Sequence, residues 1–246
     1  MSSHYSVPII VGIIILFILI FGLPRKKSTR KPNIEGIENP EVVKAFEKIT
    51  NFLPFKILRK KVIVRIDKLN PTGRLFDVGC GSGNLIVEIS ERLPHLELIG
   101  MDISAEILDQ AKLRADEKQK KIEFKEGSVE KLPFADKSVD FIVSTFSLHH
   151  WINPQKAFQE IYRVLKKEGV ALIFDFRRDS RKFFYGFFTF VTKVVVPKSL
   201  KEINEPLGSM QSSYTLKEVD NLLSKISIAN YTISPALAWM YIQIKK

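Results

Sequence analysis

The residues best placed to do chemistry lie in Arg74-Leu-Phe-Asp-Val-Gly-Cys-Gly-Ser-Gly-Asn-Leu85. An apolar run reaches Asp77, glycines follow at 79, 81 and 83, and a helical pattern begins near Asn84. Glycines at such a turn permit φ > 0 and let backbone approach a ligand with no Cβ in the way. A dinucleotide fingerprint places its third glycine one position later, where this chain has Asn84. A phosphate-binding loop ends in Gly-Lys-Ser/Thr, which is absent here. Asp77, just ahead of the glycines, repels a pyrophosphate and attracts an ammonium group. The pattern therefore suits a nucleoside that carries a cationic amino-acid moiety.

Other segments follow in order. Leu98-Ile-Gly-Met-Asp102 puts a carboxylate at the end of a second apolar run, 19 residues beyond Gly83. On a Rossmann-type sheet an acid there accepts hydrogen bonds from both ribose hydroxyls. Glu126-Gly-Ser-Val-Glu-Lys-Leu-Pro-Phe134 reads as a strand end and turn that flanks an adenine. Asp140-Phe-Ile-Val-Ser-Thr-Phe-Ser-Leu-His-His-Trp151 reads as a strand running to the same edge, and Glu160–Gly169 leads into the strand Val170–Phe176.

From Leu75 to Phe176 the chain resembles the class I S-adenosylmethionine-dependent methyltransferases, in particular the group containing the quinone-biosynthesis C-methyltransferases. The resemblance implies S-adenosylmethionine as cofactor. It implies that Asp77 orients the methionine ammonium and that Gly79, Cys80 (by its backbone), Gly81 and Gly83 line the cofactor. Asp102 would hold the ribose, Ile103 would pack beside the adenine, and Ser128 and Val129 would meet the adenine edge. Many relatives carry an acid where this chain has Ser128. Phe146 would border the methyl group. The implied fold is a Rossmann-like, doubly wound α/β domain with a seven-stranded, mostly parallel sheet whose last strand is antiparallel.

Methyl transfer from a sulfonium needs alignment and exclusion of water more than covalent help. A base is needed only when the acceptor must lose a proton. His150 is the candidate for that role, whereas His149 reads as a structural side chain at a strand end. Asp175 and Arg177, near the end of the fifth strand, are further site-lining candidates. No acid or cysteine cluster accompanies the histidines, so no metal site is expected.

These residues need elements to position them. The 246-residue chain is 45% apolar and 26% charged, which excludes a wholly disordered or fibrous protein. The single cysteine, Cys80, excludes an internal disulfide framework. Strand-like runs at Leu75–Val78, Leu96–Met101, Ile122–Phe124, Val139–Thr145 and Val170–Phe176 alternate with helical patterns at Asn84–Arg92, Ala105–Lys118 and Pro154–Lys166. That alternation predicts a parallel sheet covered on both faces. Three regions are expected: an anchor and basic flank over 1–31, a linker with N-terminal helices over 32–70, and the methyltransferase domain over 71–246. The helices expected at Glu41–Phe55 and Ile57–Leu69 either cap the domain or lie on a membrane surface. Thr215 opens a late helix, and Ile226–Ile233 and Ala236–Ile244 read as a closing strand pair.

Val7–Leu23 contains no charged side chain, and at 17 residues it reaches the lower end of what spans a bilayer. Arg25, Lys26, Lys27, Arg30 and Lys31 follow it, and only His4 and the α-amino group precede it as sources of positive charge. These flanks predict a transmembrane anchor over 7–23, a single-pass membrane protein whose catalytic domain faces the cytoplasm, and a basic patch against anionic headgroups. The formal net charge of +11 is partly this local cluster. The fourth strand lacks the Asn-Pro-Pro-Tyr type of element used in adenine methylation, and no separate RNA-binding module is visible, so no nucleic-acid partner is expected. The aromatic segment Lys182–Pro197 either shapes an apolar acceptor pocket or packs on the sheet. Together these features suggest a lipophilic acceptor, with a soluble small molecule, a protein side chain, or a tethered cofactor-binding protein without catalysis as alternatives.

Overall fold

The computed structural model describes residues 6–33, 39–226 and 228–246. Three helices come first: α1 (Ser6–Gly22), α2 (Pro40–Thr50) and α3 (Leu53–Lys68). Strands and helices then alternate as β1 (Arg74–Val78), α4 (Asn84–Arg92), β2 (Glu97–Asp102), α5 (Ala105–Glu117), β3 (Glu123–Glu126), β4 (Val139–Thr145), α6 (Pro154–Val164) and β5 (Leu165–Phe176). The chain ends with α7 (Lys182–Phe190), α8 (Lys198–Glu202), α9 (Leu207–Ser212), α10 (Leu216–Lys225), β6 (Tyr231–Pro235) and β7 (Trp239–Lys245).

The seven strands form one sheet in the order β3-β2-β1-β4-β5-β7-β6. The first five are parallel, and β7 runs antiparallel to both β5 and β6. Alternate residues of each strand face opposite layers. Phe76, Ile142 and Ile173 meet Phe158 and Ile161 of α6 and Val219 and Leu223 of α10. Leu75, Phe141 and Leu172 meet Val62 and Ile66 of α3 and Ile86 and Ile89 of α4. Burial on both faces explains why the strands read as continuous apolar runs.

The strand order reverses at β1, which lies between β2 and β4. A crevice forms outside the carboxyl ends of strands at such a switch point, and there the Asp77, Asp102 and Phe146 segments come together. Helix starts follow their local chemistry. Asn153 accepts the backbone N–H of Lys156 at 3.0 Å to open α6. Thr215 and Glu218 make a reciprocal capping box at α10. Several boundaries differ from the sequence expectation, two of them with a visible cause. β5 begins at Leu165, because Leu165 pairs with Val139 ahead of a register shift. Ile226 caps α10, so the first closing strand starts at Tyr231; Ser227 lies outside the described residues.

The expected transmembrane anchor and the single-pass, cytoplasm-facing arrangement are corrected. Among the described residues no helix is long and apolar enough to cross a membrane. The apolar run does form a helix, but α1 has 17 residues. At 1.5 Å rise per residue it extends about 25 Å, short of the ~30 Å hydrocarbon thickness. The basic flank is committed to the domain instead. The Lys26 N–H donates to Ser180 O at 2.8 Å and the Lys182 N–H to Pro24 O at 2.9 Å. The Arg30 guanidinium donates to Ser212 O at 2.5 Å and His149 O at 2.9 Å, and lies over the Tyr214 ring. Residues 24–33 thus form a strap along the α/β domain. His4, which entered the orientation argument, and part of the Lys31–Pro40 linker lie outside the described residues.

Gly83 precedes α4 at φ +77°, and a Cβ there would stand 3.0 Å from Ala111 Cβ. Gly83→Ala is expected to lower stability by about 1–2 kcal/mol, the usual cost of a left-handed non-glycine residue. Urea unfolding checks this, and an unchanged midpoint contradicts it.

Candidate functional site

The glycine loop is held by the second strand. The N–H groups of Gly79 and Cys80 both donate to Met101 O, at 2.8 and 2.9 Å, and the Gly81 N–H donates to Asp102 Oδ2 at 2.9 Å. Gly79 takes φ +70°, and a Cβ there would collide with the Ser147 side chain. Only glycine satisfies both demands.

A cavity of about 450 Å³ opens over this loop. Of the sequence-predicted site residues, Gly79, Cys80, Gly81, Asp102, Ile103, Ser128, Val129, Phe146 and His150 line it. Asp77 and Gly83 do not; Asp77 sits just behind Val78 and Gly79, and Gly83 starts the helix.

Asp77 is 1% exposed, and neither carboxylate oxygen has a hydrogen-bond partner. Burial, with a contribution from the neighbouring Asp102, pushes its pKa up to about 8. Burial also raises Asp102, against the pull of the Gly81 and Ser104 N–H groups on its oxygens. A carboxylate offers about four lone-pair positions. Two are used here, so Asp102 retains capacity for a diol. Ser128 Oγ accepts the Glu130 N–H at 3.2 Å. Ile103 is exposed at the lip and Val129 is buried. Cys80 is buried with its thiol pKa raised, first by burial and then by Asp77 and Asp102, so it is not a thiolate at neutral pH. Phe146 holds φ +54°, a left-handed conformation uncommon outside glycine. Its ring packs against Phe55, Phe174 and Phe176.

The histidines differ. The His149 imidazole Nδ1 lies 2.7 Å from Asp175 Oδ1, in a fully buried pair. Burial, then the charges of His149 and Arg30, push the His150 pKa down to about 2, which keeps that ring neutral. Asp175 and Arg177, expected as lining groups, are not on the cavity wall; Arg177 pairs with Asp179 at 2.8 Å.

The rest of the wall comes from segments that carry no motif. Val43, Phe46 and Ile49 of α2, with Phe55, Phe176, Leu200 and Pro206, make it largely apolar. The aromatic helix α7 contributes nothing to the cavity; Phe184 and Phe188 instead pack with Phe176, Leu207 and Met210. Arg114 donates to both Ser82 O and Glu47, tying the glycine loop to α2. Glu205, 2% exposed, also lines the cavity, with its carboxylate bonded to Ser209 Oγ and Asn33 Nδ2. No spacing in the sequence joins Asn33, Glu47 and Glu205, so sequence reasoning missed them. Among the described residues no group of three or more potential metal ligands is present.

S-adenosylmethionine presents a cation, a ribose diol and a flat base. The unpartnered buried oxygens of Asp77 answer the cation, Asp102 the diol, and the Cβ-free surface at Gly79 and Gly81 permits close approach. The donor set fits the cofactor.

Comparison with known proteins agrees with the geometry. Residues 76–173 match the family model described as a methyltransferase domain. A demethylmenaquinone methyltransferase of Deinococcus radiodurans is 30% identical over 125 residues, 51% of this chain and 52% of that protein. The chain thus spans about half the length of that curated relative. A ubiquinone/menaquinone biosynthesis C-methyltransferase of Rickettsia bellii is 26% identical over 81% of this chain and 83% of that protein. The crystal structure of a plantazolicin methyltransferase, solved with a triazolic desmethyl-plantazolicin analogue and S-adenosylhomocysteine, superposes with a TM-score of 0.67 at 19% identity. That alignment covers 85% of this chain and 92% of that one, and shows a shared fold.

The raised pKa of Asp77 predicts that donor binding is pH-dependent. Below about 8 the free protein holds Asp77 protonated, and a bound cation favours the carboxylate. Binding therefore releases a proton and tightens as pH rises, by up to about tenfold per pH unit, levelling above the free-protein pKa. Calorimetry in buffers of different ionisation heat counts that proton. Asp77→Asn is expected to abolish the release; a wild type that releases none contradicts this account.

Proposed function

We propose that the chain is an S-adenosylmethionine-dependent methyltransferase that transfers the donor's methyl group to a small, largely apolar acceptor carrying a ring hydroxyl, a reading supported by its likeness to methyltransferase domains and quinone-biosynthesis methyltransferases. One observation carries the reading. The same cavity that holds the glycine loop and Asp102 is lined by Phe46, Ile49, Phe55, Phe176 and Leu200. The name of the Deinococcus relative gives demethylmenaquinone as what it methylates, a molecule whose reduced form has a hydroxylated ring and an apolar chain.

When bound, S-adenosylmethionine supplies an activated methyl group on a sulfonium. Asp77 would orient the ammonium from behind the loop, while Gly79, Cys80 and Gly81 would present backbone to it and Gly83 caps the helix behind them. Asp102 would accept the ribose hydroxyls, Ile103 would cover the adenine, and Ser128 and Val129 would border its edge. Phe146 would stand beside the methyl group and, with Phe55 and Phe176, would keep water from the transfer path. Such exclusion strengthens every electrostatic contact in the site. His150, neutral across the working pH range, serves as wall rather than proton acceptor in this reading.

Two measurements test the proposal. Asp102→Ala should weaken calorimetric donor affinity by ~1–3 kcal/mol, the loss of its hydrogen bonds to the ribose. The full chain, given S-adenosylmethionine and reduced demethylmenaquinone, should yield a product heavier by one methyl group in mass spectrometry. A folded protein that binds no donor would overturn the enzyme reading, and donor binding with no such product would overturn this acceptor class.

A further inference from the structure

Helix α3 carries apolar residues on two faces, and the domain core uses one of them. Val62, Ile63 and Ile66 are buried with Leu75 of β1 and Ile86 of α4. Leu53, Ile57 and Val64 lie on the outside, at 70%, 46% and 43% exposure. Offsets of four and then seven residues set these three in one stripe along the helix. Phe52, also exposed, stands immediately before its first turn.

Cations flank the stripe on both sides. At about 100° per residue, Lys56 and Lys60 fall to one side of it and Lys61, Arg65 and Lys68 to the other. The four lysines are exposed, and the Arg65 guanidinium lies over the Tyr241 ring, 4.5 Å from its centroid. Lys61, Arg65, Lys68 and Tyr241 line a groove beside the helix. The acids nearby are committed elsewhere, Asp67 to Arg92 at 2.8 Å and Glu88 to Arg59 at 2.9 Å. The outer face therefore joins an apolar stripe to uncompensated positive charge. A second copy of this chain, itself at +11, would set like charge against like. A nucleic acid would answer the cations and leave the stripe in water. An anionic bilayer surface answers both, because phosphates meet the cations while short apolar side chains enter the boundary between headgroups and acyl chains.

We propose that the outer face of α3 docks the protein on an anionic phospholipid surface, with Leu53, Ile57 and Val64 entering the interface and Lys61, Arg65 and Lys68 meeting lipid phosphates. The helix lies along that surface and does not cross it. Phe55 of the same helix lines the cavity, within one turn of both Leu53 and Ile57. Docking thus sets one apolar wall of the cavity close to lipid. The inference goes beyond the acceptor reading without resting on it, because lipid binding is measured with no acceptor present.

The test is co-sedimentation of the full chain with vesicles of phosphatidylcholine alone or with phosphatidylglycerol added. The wild type should bind the anionic vesicles about tenfold more tightly or better, and added KCl should shrink the difference by screening. Each cation close to an anionic surface is worth about fivefold in affinity. The combined Lys61→Gln, Arg65→Gln and Lys68→Gln variant should therefore lose about 100-fold on anionic vesicles. The combined Leu53→Ser, Ile57→Ser and Val64→Ser variant should also bind them more weakly, with a remainder that salt abolishes. Calorimetric S-adenosylhomocysteine affinity should match the wild type in both variants. Equal binding to the two vesicle types, or anionic binding unchanged in the charge variant, overturns the proposal. Should a variant fail to fold, the wild type decides alone, and anionic-vesicle binding indifferent to salt overturns it. Binding to polyuridylate that the charge variant loses and the serine variant keeps, with no binding to anionic vesicles, overturns it in favour of a nucleic acid.

Discussion

The convergence of the Gly79 and Cys80 N–H groups on the Met101 carbonyl, at 2.8 and 2.9 Å, is the constraint on which the site depends. It bends the chain leaving β1 over the end of β2 and brings the Gly81 N–H to Asp102. α4 then starts at Asn84, with Gly83 as its cap. Each such hydrogen bond contributes only about 1 kcal/mol net. The geometry is nonetheless over-determined, because parallel pairing of Asp77 with Gly100 and Val143 leaves the strand ends no freedom to slide.

That rigid frame tolerates local arrangements that would otherwise be costly. Asp77 is buried with no partner for either oxygen, and Phe146 occupies a left-handed backbone conformation. An unsatisfied buried carboxyl and a strained dihedral both oppose folding. They lie at the carboxyl ends of adjacent strands β1 and β4, where the surrounding layers are fully packed. Departures from local rules of this kind gather at functional positions, where binding relieves them. The raised pKa of Asp77 and the fit to a cationic ligand are two consequences of one cause, the exclusion of water from the loop's rear face.

The other half of the cavity is assembled from parts distant in sequence. α2 supplies Val43, Phe46 and Ile49, α8 supplies Leu200, and the strap reaches His149 and Glu205 through Arg30 and Asn33. Arg114 joins the loop and α2, so the cofactor side and the apolar side move as coupled pieces. Arg163 does similar work away from the site. It binds Glu160, Asp136 and the carbonyls of Leu132 and Phe134, and so holds the turn that carries Ser128 and Val129. The late Glu160–Gly169 segment, legible as part of the motif set, thus acts on the site at one remove.

What the sequence determined by itself is whatever depends on short stretches of chain. Glycine spacing at 79, 81 and 83 sets a left-handed turn, Asp102 ends a strand, and alternating runs dictate a parallel sheet with two covered faces. The start of the late helix at Thr215 was legible for the same reason. Tertiary structure decided every question of partner. An apolar stretch records that it avoids water but not what replaces water, so Val7–Leu23 read as a membrane span although α1 is too short for one. A cluster of cations records charge but not its acceptors, so Arg30 read as a headgroup contact although it holds the His149 and Ser212 carbonyls. Glu205 and Asn33 meet across 172 residues of chain, and no local pattern encodes a contact that only the closed sheet brings about.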